Sequence, residues 1–406
     1  MRKIFYLLMP VMLFGVDLKV LIDHAENSEL AKSYEYEAES ARSTESAVFR
    51  GYLPKITAGY TQQSVDKQGT IDAKTTTVGN LKATMVLFDG FRRENLMDEK
   101  EAAALSAEYS SKHFKQNQTL DVINLYYACL SLEEDLKAKE QKGKQLEAEV
   151  GRLEKFYRAG SVSLDAVERM KASKAMNDYE LHTYRLNLDR TRAALETMTG
   201  VGADKLERST VVEPGVYEFN DRNDIKAMEF SVQSLDYKAR QSRADYLPTI
   251  YVEDSYSTYE YDGLNPAFDL VDEQNKVTIG ASITLFDFFG KFKEKEAITL
   301  QKKKLESQYA YQKDKAKRDL ALAYQSLQTA KSSIDAAHAR MSAADKTYEY
   351  VNKKFQANVV DNVTYLDALS EKYEAQAMYT RALNNYEYEK AAYYFYASKD
   401  IKEFVR

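Results

Sequence analysis

The chain has 406 residues, 44% hydrophobic and 30% charged, with a formal net charge of −6. Charges of both signs are mixed along it, which excludes a basic nucleic-acid binder and an acidic-tail protein, and fifteen Gly and five Pro supply too few turns for an all-β sandwich. A single cysteine, Cys129, excludes a disulfide framework and Cys-based zinc sites, and four scattered histidines leave little for a metal or acid–base cluster.

Arg2 and Lys3 precede an apolar run, Ile4–Phe14, shorter than the ~20 residues a spanning helix needs. A charged start, an apolar middle and a small residue at the end read as a secretory signal peptide over 1–15, cleaved after Gly15. The competing reading is a buried N-terminal helix. No later stretch is apolar and long enough for a transmembrane helix, so the expectation is an exported chain, either soluble or a β-barrel.

Beyond Gly15 the sequence repeats itself. Tyr52-Leu53-Pro54 recurs as Tyr246-Leu247-Pro248, and Leu87-Phe88-Asp89 as Leu285-Phe286-Asp287. Tyr157-Arg158-Ala159-Gly160 is echoed by Phe355-Gln356-Ala357-Asn358, and Leu164-Asp165-Ala166 by Leu366-Asp367-Ala368. The offsets are 194, 198, 198 and 202, so order is kept with short insertions, which loops tolerate. A first repeat over 16–200, a linker over 201–219 and a second repeat over 220–406 follow. Each repeat is expected to carry a helix, a β-hairpin (about 54–88 and 248–287) and a long helical hairpin whose tip lies near 157–165 or 355–367.

The opening helices are expected at about Leu18–Arg50 and Asp224–Asp245. Between Tyr-Leu-Pro and Leu-Phe-Asp the period falls to two. Ile56, Ala58 and Tyr60 alternate with Thr57, Gly59 and Thr61, and Leu81, Ala83, Met85 and Leu87 with Asn80, Lys82 and Thr84. Val277, Ile279, Ala281, Ile283 and Leu285 alternate with Thr278, Gly280, Ser282 and Thr284, while Thr249–Tyr259 is noisier, with Asp254 beside Ile250, Val252 and Tyr256. Runs of about ten residues fit tilted transmembrane strands. Leu81, Ala83, Met85, Val277, Ile279 and Ile283 are then the expected lipid-facing residues, and Tyr52, Tyr60, Tyr246, Tyr256 and Tyr259 the interfacial anchors. Asp66–Thr75 and Glu260–Gln274 read as exposed loops. The competing reading is a pair of soluble hairpins packed on helices.

After Asp287 a heptad seam runs unbroken: Ala316, Leu320, Ala323, Leu327, Ala330, Ile334, Ala337, Met341, Ala344, Tyr348, Val351 and Phe355. The first repeat has a rougher one through Leu132, Leu136, Leu146, Val150, Leu153 and Tyr157. Leu87 to Tyr157 and Leu285 to Phe355 both span 70 residues, an arm of roughly 100 Å if helical. Return helices are expected at about Ala166–Thr199 and Tyr365–Ser398, with Gly200 as a helix stop. Two hairpins cannot close a barrel, and open edges cannot sit in lipid. Transmembrane strands therefore require several chains: two fill the interior with side chains, and more leave a channel.

These features resemble the TolC-like outer-membrane efflux channels over nearly the whole chain after Gly15. The resemblance rests on Asp17–Leu30, the Tyr-Leu-Pro and Leu-Phe-Asp sites, Asp224–Pro248, and above all the paired tips Arg158–Val167 and Gln356–Leu369. It implies a mainly α protein whose long coiled-coil hairpins form a periplasmic tunnel, with four strands per chain contributing to a trimeric 12-stranded barrel in the outer membrane of a Gram-negative bacterium. It further implies a homotrimer in outer-membrane lipid, a periplasmic adaptor (membrane fusion) protein and an inner-membrane pump, with no nucleic acid. The function implied is a porin-like exit duct for tripartite efflux or type I secretion.

Asp165 and Asp367 follow the tips. Three copies of each would form acidic rings at the pore entrance, a device of cation-selective constrictions; the alternative is a helix N-terminal carboxylate favoured by the helix dipole. By resemblance Phe355 holds the closed state, and Arg158 in the other tip offers an ionic latch. Ala159, Gly160, Ser161, Val162, Ala357, Asn358 and Val359 are candidate adaptor contacts, or plain turn residues. Cys129, within an apolar helical stretch, reads as a core cysteine. With no phosphate loop, metal-ligand spacing or nucleophile motif, no enzyme, cofactor or metal site is expected. The competing function is a soluble periplasmic coiled-coil adaptor or scaffold.

Overall fold

The computed structural model describes residues 15–69, 71–265, 267 and 269–406; the expected signal peptide, Gly15 apart, lies outside the described residues. In chain order the elements are α1 (Leu18–Glu26), α2 (Glu29–Arg50), β1 (Lys55–Ser64), β2 (Thr75–Phe88), α3 (Arg92–Arg158), α4 (Leu164–Thr199), α5 (Asn223–Gln241), β3 (Thr249–Asp262), β4 (Glu273–Ser282), α6 (Gly290–Gln356) and α7 (Asn362–Tyr396). None of these helices is long and apolar enough to cross a membrane.

The arms α3 and α6 are both 67 residues long. Along α6 the heptad seam is the buried stripe: Ala316, Leu320, Ala323, Leu327, Ala330, Ala337, Ala344, Tyr348 and Phe355 are all buried. Gly200 ends α4 in the left-handed conformation at φ 70°, its N–H donating to the Glu196 carbonyl at 2.7 Å, where glycine avoids the Cβ penalty.

One expected helix is two. The run Leu18–Arg50 breaks at Asn27–Ser28, because polar side chains there capture the helix termini. Asn27 Nδ2 donates to the Asp23 carbonyl at 2.7 Å, and Ser28 Oγ accepts from Ala31 N–H at 3.2 Å.

The chain divides into two compact units, each drawing on both repeats. One comprises residues up to Ser33, Lys112–Asn223 and Lys313–Arg406. Its central core joins α1, the middle of α3, α4 and α7 through Leu21, Ile22, Ile123, Tyr126, Cys129, Leu195 and Tyr394. Burial pushes the Cys129 thiol up to about 12. The linker lies against this core: Val16 pairs with Leu206 and Val211 with Val405. Tyr127 Oη donates to the Ser209 carbonyl at 3.1 Å, and Phe404 stacks on Tyr394 at 3.9 Å.

The other unit comprises Tyr34–Ser111 and Asp224–Gln312. It holds an antiparallel sheet of order β1-β2-β3-β4, in which two hairpins meet at β2·β3. Strands β2 and β3 reach 14 residues, running into stretches expected as loop, whereas β4 stops at Ser282. Ile283 therefore lies outside the strand that the alternation assigned to it. The reason is pairing. β4 borders only β3, and that ladder ends at Thr249↔Ser282, just after Pro248, which has no N–H to extend it.

Candidate functional site

Residues paired across antiparallel strands share a face, as do residues two apart. The pairs Ile56↔Ala83, Ala58↔Leu81, Leu81↔Tyr256, Met85↔Val252 and Val252↔Ile279 therefore gather one apolar face. Val277 belongs to it, 65% exposed, as does Ile279 at 74%. Asp254, between Ala83 and Val277, is a charged residue in the middle of this face. The opposite face carries Thr57, Asn80, Lys82, Thr84, Glu253, Ser255, Lys276 and Thr278. There Lys82 pairs with Glu253 at 2.8 Å. An apolar, water-exposed face backed by a polar, ion-paired face is the division a transmembrane barrel strand needs. Among the described residues, the outer strands β1 and β4 each have an unpaired edge.

At the far ends of the arms, both turns have five residues, 159–163 and 357–361. Gly160 (φ 73°) and Asn358 (φ 58°) hold the same left-handed position, which Asn tolerates better than most residues. Ser161 N–H reaches the Phe156 carbonyl at 2.9 Å, and Val359 N–H the Lys354 carbonyl at 2.8 Å, closing both helices alike. The second tip turn thus contains no extra residues. Asp367 accordingly lies one helical turn further along its return helix than Asp165 does, on about the same side.

Asp165 is in the first turn of α4, exposed, and pairs with Arg169 Nε at 2.9 Å. Asp367 is exposed but beyond the first turn of α7, so the N-terminal carboxylate of that helix is Asp361 instead. Asp361 accepts from the Thr364 amide at 2.9 Å and its hydroxyl at 2.6 Å, and these bonds hold its carboxyl below the usual range. Ser163 caps α4 in the same way.

Phe355 is buried, at 4% exposure. It stacks on Tyr365 at 4.3 Å and lies under the Arg152 guanidinium, also at 4.3 Å. Arg152 is fixed by Glu149 at 2.7 Å. The cluster includes Leu146, Leu153, Val167, Met170, Tyr348 and Leu369, so it ties the two helical hairpins together near their tips. Asn362 Nδ2 adds a bond to the Ala166 carbonyl at 3.3 Å. Arg158 is exposed and donates back to the Glu154 carbonyl of its own helix at 3.3 Å. Ala159, Gly160, Ser161, Ala357, Asn358 and Val359 are exposed, whereas Val162 is half-buried against the tip cluster.

Arg152, Tyr365 and Asp361 join the tip site without being singled out by the sequence pattern. The spacing Asp361-x-x-Thr364 before an apolar run is a recognisable N-cap signal. Nothing local pairs Arg152 with Phe355, about two hundred residues away.

The family model for outer membrane efflux proteins matches the chain twice, over 24–201 and 219–395. No curated protein matches it in sequence. Among solved structures, the outer membrane protein VceC of Vibrio cholerae aligns with TM-score 0.82 at 15% identity, covering 95% of this chain and 96% of that one. The CmeC outer membrane channel of Campylobacter jejuni gives 0.84 at 13% identity, with coverage of 95% and 87%. The open state of the Neisseria gonorrhoeae MtrE outer membrane channel gives 0.79 at 16% identity, with coverage of 94% and 89%. At these identities the likeness is one of fold.

Proposed function

The chain belongs to the outer membrane efflux protein family, and from that premise we propose that it is the exit duct of a tripartite efflux or type I secretion system. It is an outer-membrane protein with a long periplasmic helical part. Three copies close their strands into one 12-stranded barrel, and their helical arms line a tunnel that conducts cargo passively. A periplasmic adaptor engages the tips, and an inner-membrane pump supplies the energy. The observation that carries the reading is the sheet with one exposed apolar face and two edges left unpaired among the described residues. Such edges are intolerable in lipid unless neighbouring chains pair with them.

The tips are proposed as the selective, regulated end. Asp165 and Asp367 form acidic rings at the entrance, Phe355 restrains opening, and Arg158 offers a latch to a neighbouring copy. Ala159, Gly160, Ser161, Val162, Ala357, Asn358 and Val359 form the surface offered to the adaptor. Arg169 offsets part of the Asp165 charge, so Asp367 contributes more to the field.

The test is reconstitution of the purified protein into planar bilayers. Stable cation-selective conductance is expected. Asp367→Ala is expected to lower cation selectivity more than Asp165→Ala, and the double variant most of all. No conductance would contradict the duct; unchanged selectivity in the double variant would sink the acidic rings.

A further inference from the structure

The two repeats meet inside the chain along one seam. Strand β2 pairs with β3, and just beyond it Gly90 abuts the segment that precedes β3. A Cβ placed on Gly90 would lie 2.8 Å from Leu247 Cβ and 3.0 Å from Ala244 Cα. Arg92 reaches Asp245 at the same place.

The outer edges of the sheet carry the corresponding pieces, and among the described residues no strand pairs with them. Backbone bonds fix the correspondence. Leu53 N–H donates to the Arg50 carbonyl at 3.1 Å, as Leu247 N–H does to Ala244 at 3.0 Å. Asn95 N–H donates to Phe91 at 3.2 Å, as Lys293 N–H does to Phe289 at 3.1 Å. The two hairpins share one register, Lys55↔Thr84 matching Thr249↔Ser282. Arg50–Leu53 thus corresponds to Ala244–Leu247, Met85–Phe88 to Ile283–Phe286, and Gly90 to Phe288.

Two observations point outward from the chain. Strand β2 continues past Thr84 to Phe88 with β3 beside it, while Ile283–Phe286 has no such neighbour and is not a strand. Phe288 and Phe289 hold φ of 52° and 64°, a region that disfavours bulky side chains. Yet Phe288 is 85% exposed. A bulky aromatic held where Gly90 sits freely, and left bare, is placed for a contact beyond the chain.

We infer that a second copy covers this junction: β4 of one copy pairs with β1 of the next in the register Ser282↔Gly59, and Phe288 seats against Leu53 and Arg50 of that copy. The inference rests on the shared barrel proposed above. Carrying the β2·β3 ladder onto the outer edges gives the register directly. Thr84↔Glu253 becomes Ser282↔Gly59, and Val86↔Tyr251 becomes Thr284↔Thr57. Ile283 then faces Ala58, which returns it to the apolar face. The two seams also differ in size. Within the chain Gly90 meets Ala244, small against small; between copies Phe288 meets Arg50, an aromatic ring against a cation. Phe288 would not fit the internal seam, where even a Cβ is crowded, so each edge selects its own partner.

The test uses full-length protein carrying Cys129→Ala, oxidised in native membranes and run without reductant. Thr57→Cys with Thr284→Cys, and Leu53→Cys with Phe288→Cys, are expected to give covalent dimers and trimers. Strands β1 and β4 are opposite edges of one sheet, about 14 Å apart, so neither pair of strand positions can bond within a chain. The shifted pair Thr57→Cys with Ser282→Cys is expected to cross-link at least ~10-fold less. If the shifted pair prevails, the register is wrong. If Thr57/Thr284 bonds and Leu53/Phe288 does not, the junction is covered by something other than the next copy, such as lipid, and the seat is wrong. Either result in a particle of normal native mass overturns this inference alone; a single-chain mass overturns the barrel with it.

Discussion

Ile279→Arg is expected to abolish assembly of the protein in the outer membrane. Ile279 is among the most exposed apolar residues of the sheet and shares its face with Val252, Met85 and Val277. An arginine near the bilayer midplane of a barrel costs ~2–4 kcal/mol per chain, and in a closed ring every copy bears it. The matched control is Thr278→Arg, one residue away on the polar face opposite Glu253, a face that already carries Lys82 and Lys276. Thr278→Arg should assemble, and Ile279→Arg should be degraded or remain in the periplasm. Native electrophoresis of detergent extracts reads both. Normal assembly of Ile279→Arg, or equal failure of the two, would refute the assignment of faces. Asp254 on the same face does not remove the contrast, because carboxylates are less costly than arginine in this setting.

The second large effect is expected at Phe355. Its ring is sandwiched between Tyr365 and the Arg152 guanidinium and is almost fully buried. Phe355→Ala removes a core aromatic, which typically costs ~3–5 kcal/mol. The loss should be local to the tip cluster. Amide exchange at residues 348–369 is expected to accelerate by at least ~100-fold, while the sheet stays unchanged. Phe355→Leu should retain most of the protection. If this cluster restrains the entrance, Phe355→Ala also raises resting conductance. Unchanged exchange at the tip would show that the cluster does not hold the two hairpins together.

Much of this architecture is written locally. The α6 seam is legible because one spacing repeats over twelve positions and nine of them are buried. The strand faces are legible because period two is unambiguous when Thr and Gly alternate with Val and Ile. The rest depends either on partners distant in sequence or on competition among neighbouring polar groups. The end of β4 cannot be inferred from Ile283 and Leu285, whose alternation is sound, because a strand needs a neighbour as well as a pattern. The α1–α2 break depends on which of several polar residues captures a helix end. At the tips, the match of Leu164-Asp165-Ala166 to Leu366-Asp367-Ala368 suggested an insertion, but the left-handed residues Gly160 and Asn358 align without one. A four-residue shift along a helix keeps the same face buried, so the sequence match and the turn disagree by one turn. Arg152 and Tyr365 were illegible for a simpler reason: their role comes from Phe355, which only the folded hairpins bring near.

Whether several copies share one barrel is decided by the native mass of full-length protein extracted from outer membranes in mild detergent. A stable particle of three chains is expected, each 46.5 kDa before removal of any signal peptide. A single chain recovered from the soluble periplasmic fraction would contradict it and leave a soluble coiled-coil scaffold as the reading.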